Sequence, residues 1–222
     1  MKIGIIGAGN VGAALAKRLG MAGHQLMLSF SRDATALETT ARRYIARSGT
    51  PAEAANFGEV AVLATPWAAV DLALSQAGPL RDRVLWDCTI PLTLDYGALV
   101  VGTVISGGEI VAERARGARV VKAIPPAAQL LLSDDPTVDS KPAAMFICSD
   151  DACAKALVMP LAASLPAQAV DFGPLANSRY AEPMGMAIVR LAYGLNHGYR
   201  IGLALLAEKA AATRASVPAG AC

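Results

Sequence analysis

A short strand-like run, Lys2-Ile3-Gly4-Ile5-Ile6, leads straight into Gly7-Ala8-Gly9-Asn10-Val11-Gly12, and Ala13-Ala14-Leu15-Ala16 follows at once. An apolar run that ends in glycines and reopens on small helix formers reads as strand, tight turn and helix. In that context G-x-G-x-x-G is the turn that carries a dinucleotide pyrophosphate. Gly7 permits the turn. Gly9 keeps the backbone bare so that a phosphate can approach. Gly12 lets the helix lie against the strand. Free N–H groups and the positive end of the helix dipole then face the phosphates.

The same alternation continues for about 120 residues. Strand candidates lie at residues 2–6, 25–29, 60–64, 84–87 and 119–123. Helices are expected at 11–22, 35–47, 67–77 and 108–116, with a short one at 52–56. Short apolar strands separated by helices predict a mainly parallel sheet covered on both faces. Pro125-Pro126 interrupts this pattern, and Ser133-Asp134-Asp135-Pro136 and Ser140-Lys141-Pro142 mark a loop. A strand at 143–148, a helix at 151–165 and a strand at 168–171 follow, then a helix over roughly 178–214 with a bend near Pro183 and a frayed tail at 215–222. The organisation expected is a dinucleotide-binding domain at 1–124 and a smaller C-terminal substrate and dimerisation region at 125–222.

Composition excludes several classes. Hydrophobic residues make up 54% and charged residues 17%, enough for a large core and against disorder. Net charge is only +2, and the densest basic group, Arg42, Arg43 and Arg47, has the spacing of a wet helix face, so neither nucleic acid nor an anionic membrane is expected as a partner. The apolar start is too short for a signal peptide, and the apolar stretch 184–207 carries Arg190, His197 and Arg200, so no membrane span is expected. Cys88, Cys148, Cys153 and Cys222 lack metal-knuckle spacing. The expectation is no metal site, reduced thiols and a cytoplasmic protein.

The second strand indicates which dinucleotide binds. An acidic residue at its tip, roughly 20 residues after the glycines, would hold the ribose hydroxyls of NAD. Here the tip reads Leu28-Ser29-Phe30-Ser31-Arg32, with no acid. Ser31 and Arg32 offer a hydroxyl and a guanidinium fork, which suit a 2′-phosphate and hence NADP(H). Asp33 is expected to cap the next helix.

The ligand should cross the carboxyl ends of the strands, where Thr65-Pro66-Trp67, Cys88-Thr89-Ile90-Pro91 and Ile124-Pro125-Pro126 form the loops. No acid–base machine is visible there. His24 enters the second strand, His197 sits in the apolar C-terminal stretch, and Cys88 has no base beside it. No catalytic side chain is therefore assigned. Hydride passing between two rings needs alignment rather than a strong acid or base.

Several segments resemble one family. They are residues 3–12, Leu28-Ser29-Phe30-Ser31-Arg32, Val62-Leu63-Ala64-Thr65-Pro66-Trp67, Ser106-Gly107-Gly108-Glu109, Val120-Val121-Lys122-Ala123 and, most specific, Asp171-Phe172-Gly173-Pro174-Leu175-Ala176-Asn177-Ser178-Arg179 with Glu182-Pro183. The chain resembles the coenzyme F-420-dependent NADP oxidoreductases. The resemblance implies a Rossmann-type doubly wound, mainly parallel sheet with a small C-terminal α/β appendage ending in a long helix, and a homodimer. It implies NADP(H) phosphates at Ala8, Gly9, Asn10 and Val11, and a 2′-phosphate on Ser31 and Arg32. Thr65, Pro66, Ile90 and Ala127 would line the dinucleotide or its nicotinamide, with a small-molecule acceptor ring stacked between the nicotinamide and the C-terminal part. Two positions depart from the family pattern: Ile124-Pro125-Pro126 replaces an aromatic-Asn or His-Thr pair, and Ile90 replaces an Asn.

The function expected is an NADP(H)-dependent oxidoreductase that passes hydride to or from a deazaflavin (coenzyme F-420) or a flavin, with quinones also open. A dehydrogenase or imine reductase for a small substrate, and a non-catalytic NADP(H) sensor, are the alternatives.

Overall fold

The computed structural model describes residues 1–206. Its frame is an eight-stranded sheet in the order β3-β2-β1-β4-β5-β6-β7-β8. The strands are β1 (Lys2–Ile6), β2 (Gln25–Ser29), β3 (Arg47–Ser48), β4 (Val60–Leu63), β5 (Val84–Asp87), β6 (Arg119–Ala123), β7 (Ala144–Cys148) and β8 (Gln168–Asp171). From β3 to β6 all neighbours are parallel. β7 runs antiparallel to β6, and β8 runs parallel to β7. The Rossmann-type architecture stands, and the C-terminal strands extend the same sheet rather than forming a separate one.

The central strands are apolar on both faces because both are covered. One core holds Ile3, Ile5, Leu15, Leu19 and Trp86 and reaches Val158 and Leu161. The other holds Ile6, Leu63, Val70, Leu85 and Val111. Helices α1 (Asn10–Met21), α2 (Ala34–Arg43), α3 (Pro51–Phe57), α4 (Val70–Ala77) and α5 (Gly107–Arg114) make the crossovers. The chain steps outward from β1 to β3 and then returns to place β4 on the other side of β1. The crevice of a doubly wound sheet opens at that reversal, outside the carboxyl ends of β1 and β4.

Past β6 come α6 (Ala128–Leu132), α7 (Ala152–Val158), α8 (Leu161–Ser164) and α9 (Ser178–Val189). The helix expected over 151–165 is broken at Pro160, which lacks the N–H a continuous helix needs. The last helix passes through Pro183 and continues as a π-helical turn, Arg190–Gly194. It stops there rather than near 214: Asn196 takes a φ of 56° and Gly198 one of 80°, and residues 201–206 are not helical. The remainder of the expected helix, 207–214, and the tail 215–222 lie outside the described residues. His197 is consequently exposed beyond the helix end. Arg47 belongs to β3 and not to the wet helix face, because α2 ends at Arg43.

Cys88 and Cys148 are free buried thiols. Cys153, half-buried on α7, is disulfide-bonded, against the expectation of reduced thiols. No described helix is long and apolar enough to cross a membrane. Among the described residues no three His, Cys, Asp or Glu side chains gather to hold a metal ion.

Candidate functional site

The three glycines of the turn are distinguished by the space around them. A Cβ on Gly7, whose φ is +126°, would lie 2.3 Å from the Ala64 carbonyl oxygen. Gly7 thus lets the end of β1 touch the end of β4 at the reversal. A Cβ on Gly12 would lie 1.7 Å from the Gly7 carbonyl oxygen, so α1 sits directly on the turn. A Cβ on Gly9 would meet nothing within 4 Å. Gly9 caps α1 without a side-chain hydrogen bond, and no acidic residue occupies the first helical turn. The positive helix end therefore faces an open space that suits an anion.

The tip of β2 lies beside this turn. Gly7 N donates to the Ser29 carbonyl at 3.0 Å and Ala8 N to that of Phe30 at 3.4 Å. Phe30 takes a left-handed φ of 58°, after which Ser31 and Arg32 stand exposed. Asp33 caps α2, accepting from Thr35 N at 2.8 Å and Ala36 N at 3.2 Å. Its backbone N–H donates to Ser31 Oγ at 3.2 Å. Asp33 is thus occupied with the helix, and Arg32 is directed to solvent.

From Gly9 a cavity of about 460 Å³ runs across the carboxyl ends of β4, β5 and β6 to α9. It brings together Gly9, Asn10, Val11, Thr65, Pro66, Ile90 and Ala127. Gly7 and Ala8 lie outside the wall, as do Ser31 and Arg32 at the β2 tip. Thr65 is 7% exposed, and its Oγ1 is buried with no hydrogen-bond partner. A buried hydroxyl left unpaired is costly unless a ligand pairs it. Among the described residues that line the cavity, none carries a charged side chain. Trp67 lines it too, while Arg114 lies 5.8 Å from the Trp67 ring centroid. Burial pushes the Cys88 thiol well above its usual range, and the Asp87 charge adds to that. Cys88 is therefore a thiol and no nucleophile.

Beneath this apolar wall lies an ion network that was not anticipated. Lys122, fully buried, places Nζ 2.9 Å from Asp87 Oδ2, 3.0 Å from Glu182 Oε1 and 2.5 Å from the Thr89 carbonyl. Burial alone would lower the Lys122 ammonium, but the Asp87 and Glu182 charges reverse this and leave its pKa raised. Asp87 Oδ1 accepts from Thr89 N at 2.8 Å and Thr89 Oγ1 at 2.7 Å. Glu182 accepts from Gly107 N and Gly108 N, both at 2.8 Å, at the start of α5. The network thus connects the cavity loop after β5, the strand β6 and the cavity-lining helix α9. A second clamp lies beside it. Arg179 holds Glu109 through Nε at 2.8 Å and Nη2 at 2.5 Å, while Ser106 and Glu109 form a capping box on α5. The C-terminal motif that carries most of the family resemblance places Arg179 and Glu182 in these structural clamps. The available signal was a pair of opposite charges on neighbouring buried strands, since Asp87 and Lys122 are register partners.

The loop after β6 is held from the other side. Lys17 Nζ donates to the Leu132 carbonyl at 2.6 Å, Arg18 Nε to that of Leu131 at 2.6 Å, and Arg18 Nη2 to that of Ser133. These α1 cations satisfy the last carbonyls of α6. They anchor α6 on α1. His24 is structural, as expected: its Nε2 lies 3.3 Å from Ser164 Oγ and its Nδ1 3.3 Å from the N-terminus.

Residues 2–91 match the family described as NADP oxidoreductase, coenzyme F-420-dependent. The matched segment is similar to that family. It spans β1 to β5 and includes the glycine turn, the β2 tip and the loops bearing Thr65 and Ile90. Over the whole chain the fold is similar to a provisional F-420-dependent NADP reductase from Arthrobacter sp., with 26% identity and a TM-score of 0.82 over 93% of this chain and 100% of that one. It is also similar to a hypothetical protein from Sinorhizobium meliloti, with 27% identity and a TM-score of 0.71 over 80% of this chain and 88% of that one. A reductive aminase from Aspergillus terreus in complex with NADPH shares the fold at 19% identity, with a TM-score of 0.65 over 87% of this chain and 61% of that one. The family match and the architecture are those of an NADP-dependent oxidoreductase.

Proposed function

We propose that the chain transfers hydride between NADP(H) and a neutral redox ring, a deazaflavin or a flavin. The observation that carries this reading is the uncharged cavity that runs from the glycine turn to α9. Bound NADPH supplies the hydride at its nicotinamide; a flavin-type acceptor takes that hydride and a proton from water, leaving NADP⁺ and the reduced ring. The residues of this chain have simpler tasks. The Gly9–Val11 turn receives the pyrophosphate, and Ser31 and Arg32 bind the 2′-phosphate from outside the cavity. The Thr65 hydroxyl, unpaired in its buried position, meets the carboxamide end of the nicotinamide. Ile90 and the 124–126 loop exclude water and press the rings together. Alignment of this kind accounts for much of the barrier reduction that a proton-transfer residue would otherwise supply.

The alternatives predict different linings. A hydroxyacid or amino-acid reductase must hold a substrate carboxylate, which calls for a cation in the cavity. None of the described lining residues provides one. The same reading takes the protein as a cytoplasmic homodimer: diffusible cofactors are its substrates, and apolar side chains such as Leu94, Val104 and Leu195 stand exposed.

NADPH oxidation in the presence of coenzyme F-420, FMN, FAD or quinones tests the proposal. Reduction of a flavin or deazaflavin is the expected result. Tight NADPH binding without turnover of any acceptor would instead favour a sensor, and turnover of a ketone or imine alone would favour the small-substrate reductase.

A further inference from the structure

The face of α9 that lines the cavity has a gap in its middle. Ala181, Met184, Gly185, Ile188, Val189 and Ala192 share that face at the three- and four-residue spacing of a helix. Glycine is a weak helix former, so its place at 185 calls for a reason. The packing supplies one. A Cβ there would lie 2.8 Å from Ile90 Cδ1 and 3.4 Å from Ile124 Cδ1, with Ile90 Cγ1 next at 3.6 Å. Two isoleucines from the loops after β5 and β6 thus rest their tips on bare helix backbone. At Gly7 and Gly12 the obstacle to a Cβ is backbone; here it is the far end of a side chain, which can turn aside.

The backbones on either side of this contact are pinned. Thr89 N donates to Asp87 at 2.8 Å, the Thr89 carbonyl accepts from Lys122 at 2.5 Å, and Leu92 N donates to the Ile90 carbonyl at 2.8 Å. On α9, Glu182 lies one turn before Gly185 and is held by Lys122, Gly107 N and Gly108 N. One buried ion network therefore fixes both partners of the contact. A side chain added at 185 cannot push the loop from the helix and must turn Ile90 instead. Ile90 is half-buried and lines the cavity, so the open space beside its tip is the cavity itself.

We infer that Gly185 is a positioning residue for the acceptor ring: its bare backbone holds Ile90 back against α9 and keeps open the space in which that ring lies on the nicotinamide. It acts through Ile90 and touches no reacting atom. The inference rests on the proposed function, which sets Ile90 against the stacked rings. A rigid three-ring system cannot bend around a displaced methyl group, so the gap matters for a flavin or deazaflavin in particular.

The test is a double-mutant cycle on the full-length protein saturated with NADP⁺, read by fluorescence quenching of riboflavin or coenzyme F-420, whichever the wild type binds. Gly185→Ala should weaken binding of that ring at least about 5-fold, the low end of what an inserted methyl group costs a packed site. It should unfold at a urea concentration no lower than the wild type, since alanine is the better helix former. Ile90→Val removes Cδ1, the atom in the 2.8 Å contact, and keeps Cγ1 at its ordinary 3.6 Å. Ring binding by the double variant Gly185→Ala/Ile90→Val should therefore return to that of Ile90→Val alone. Wild-type binding by Gly185→Ala, a loss that Ile90→Val does not rescue, or a lowered urea midpoint would each overturn the inference; the last two would mean that the helix moves rather than Ile90. A wild type that binds neither ring would overturn it together with the reading it rests on. NADPH oxidation by the wild type tests that reading separately, so the cycle can fail while flavin or deazaflavin turnover stands.

Discussion

Gly9 and Gly12 lie three positions apart and tolerate a methyl group very differently. At Gly12 the added carbon would fall 1.7 Å from the Gly7 carbonyl oxygen, so strand and helix must separate. Gly12→Ala is expected to cost about 1–3 kcal/mol of stability by overpacking. At Gly9 the methyl enters open space at an ordinary φ of −76°, so Gly9→Ala should unfold at nearly the wild-type urea concentration while binding NADPH more weakly. Urea titration together with NADPH titration of both variants separates the two effects, and an equal loss of stability would refute the distinction. Arg32 makes the complementary prediction. It stands exposed at the β2 tip, outside the cavity. Arg32→Ala should raise the KM for NADPH about 10-fold by removing a charge-assisted contact, with kcat and the KM for NADH unchanged. A kcat loss would place Arg32 nearer the chemistry. The glycines and the β2 tip were legible because local backbone and charge requirements act over a few residues. Lys122 was not, since its partners Asp87 and Glu182 are distant in sequence and meet only once the strands pair and α9 folds back.

At the scale of elements, α5 and α9 depend on each other. Glu109 closes the capping box of α5 and takes the Arg179 guanidinium from α9. The Arg179 hydrogen bond is the main reason the Glu109 carboxyl is lowered to about 2. A carboxylate depressed in the folded state contributes stability that is complete above its unfolded value, near 4.5, and is lost as pH falls towards 2. The urea midpoint of the wild type should therefore fall more steeply than that of Glu109→Gln between pH 5 and pH 2, the two converging at the acid end. Parallel curves would show that the clamp adds nothing. Most elements were readable from the pattern of apolar runs, and strands 2–6, 25–29, 84–87, 119–123 and 168–171 were expected with these same limits. Two were missed. β3 has only two residues, Arg47–Ser48, both exposed, so no apolar period announces it. α6 is a five-residue helix directly after Pro125-Pro126, stabilised by Lys17 and Arg18 from a distant helix rather than by its own composition. The last helix was read too long because its apolar, Ala-rich character continues past Gly194, where the backbone turns.

For the molecule as a whole, the sheet does not end where the sequence pattern changes. β6 pairs with β7 on its outer edge, with Lys122 opposite Cys148 and Ala123 opposite Ile147. α1 packs against α6 and α8 from the second half. A fragment of residues 1–124 would lose those partners. It would bare the β6 edge, leave Lys122 without Glu182, and expose the face of α1 that holds Leu15 and Leu19. An unpaired edge strand beside a bared apolar face is an aggregation template. We expect the fragment to lack a cooperative unfolding transition, whereas the full chain unfolds in one. A stable, NADPH-binding 1–124 fragment would show instead that the first half is self-sufficient. Lys122→Met provides the same test within the intact chain. It leaves Asp87 and Glu182 buried without their cation, which should cost about 3–5 kcal/mol, more than either carboxylate's hydrogen bonds to neighbouring N–H groups can offset. Replacing all three with apolar residues should recover much of that loss, because the burial penalty disappears with the charges. If the triple variant regains stability but binds riboflavin poorly, the network serves to set α9 against the cavity loop rather than to hold the fold together.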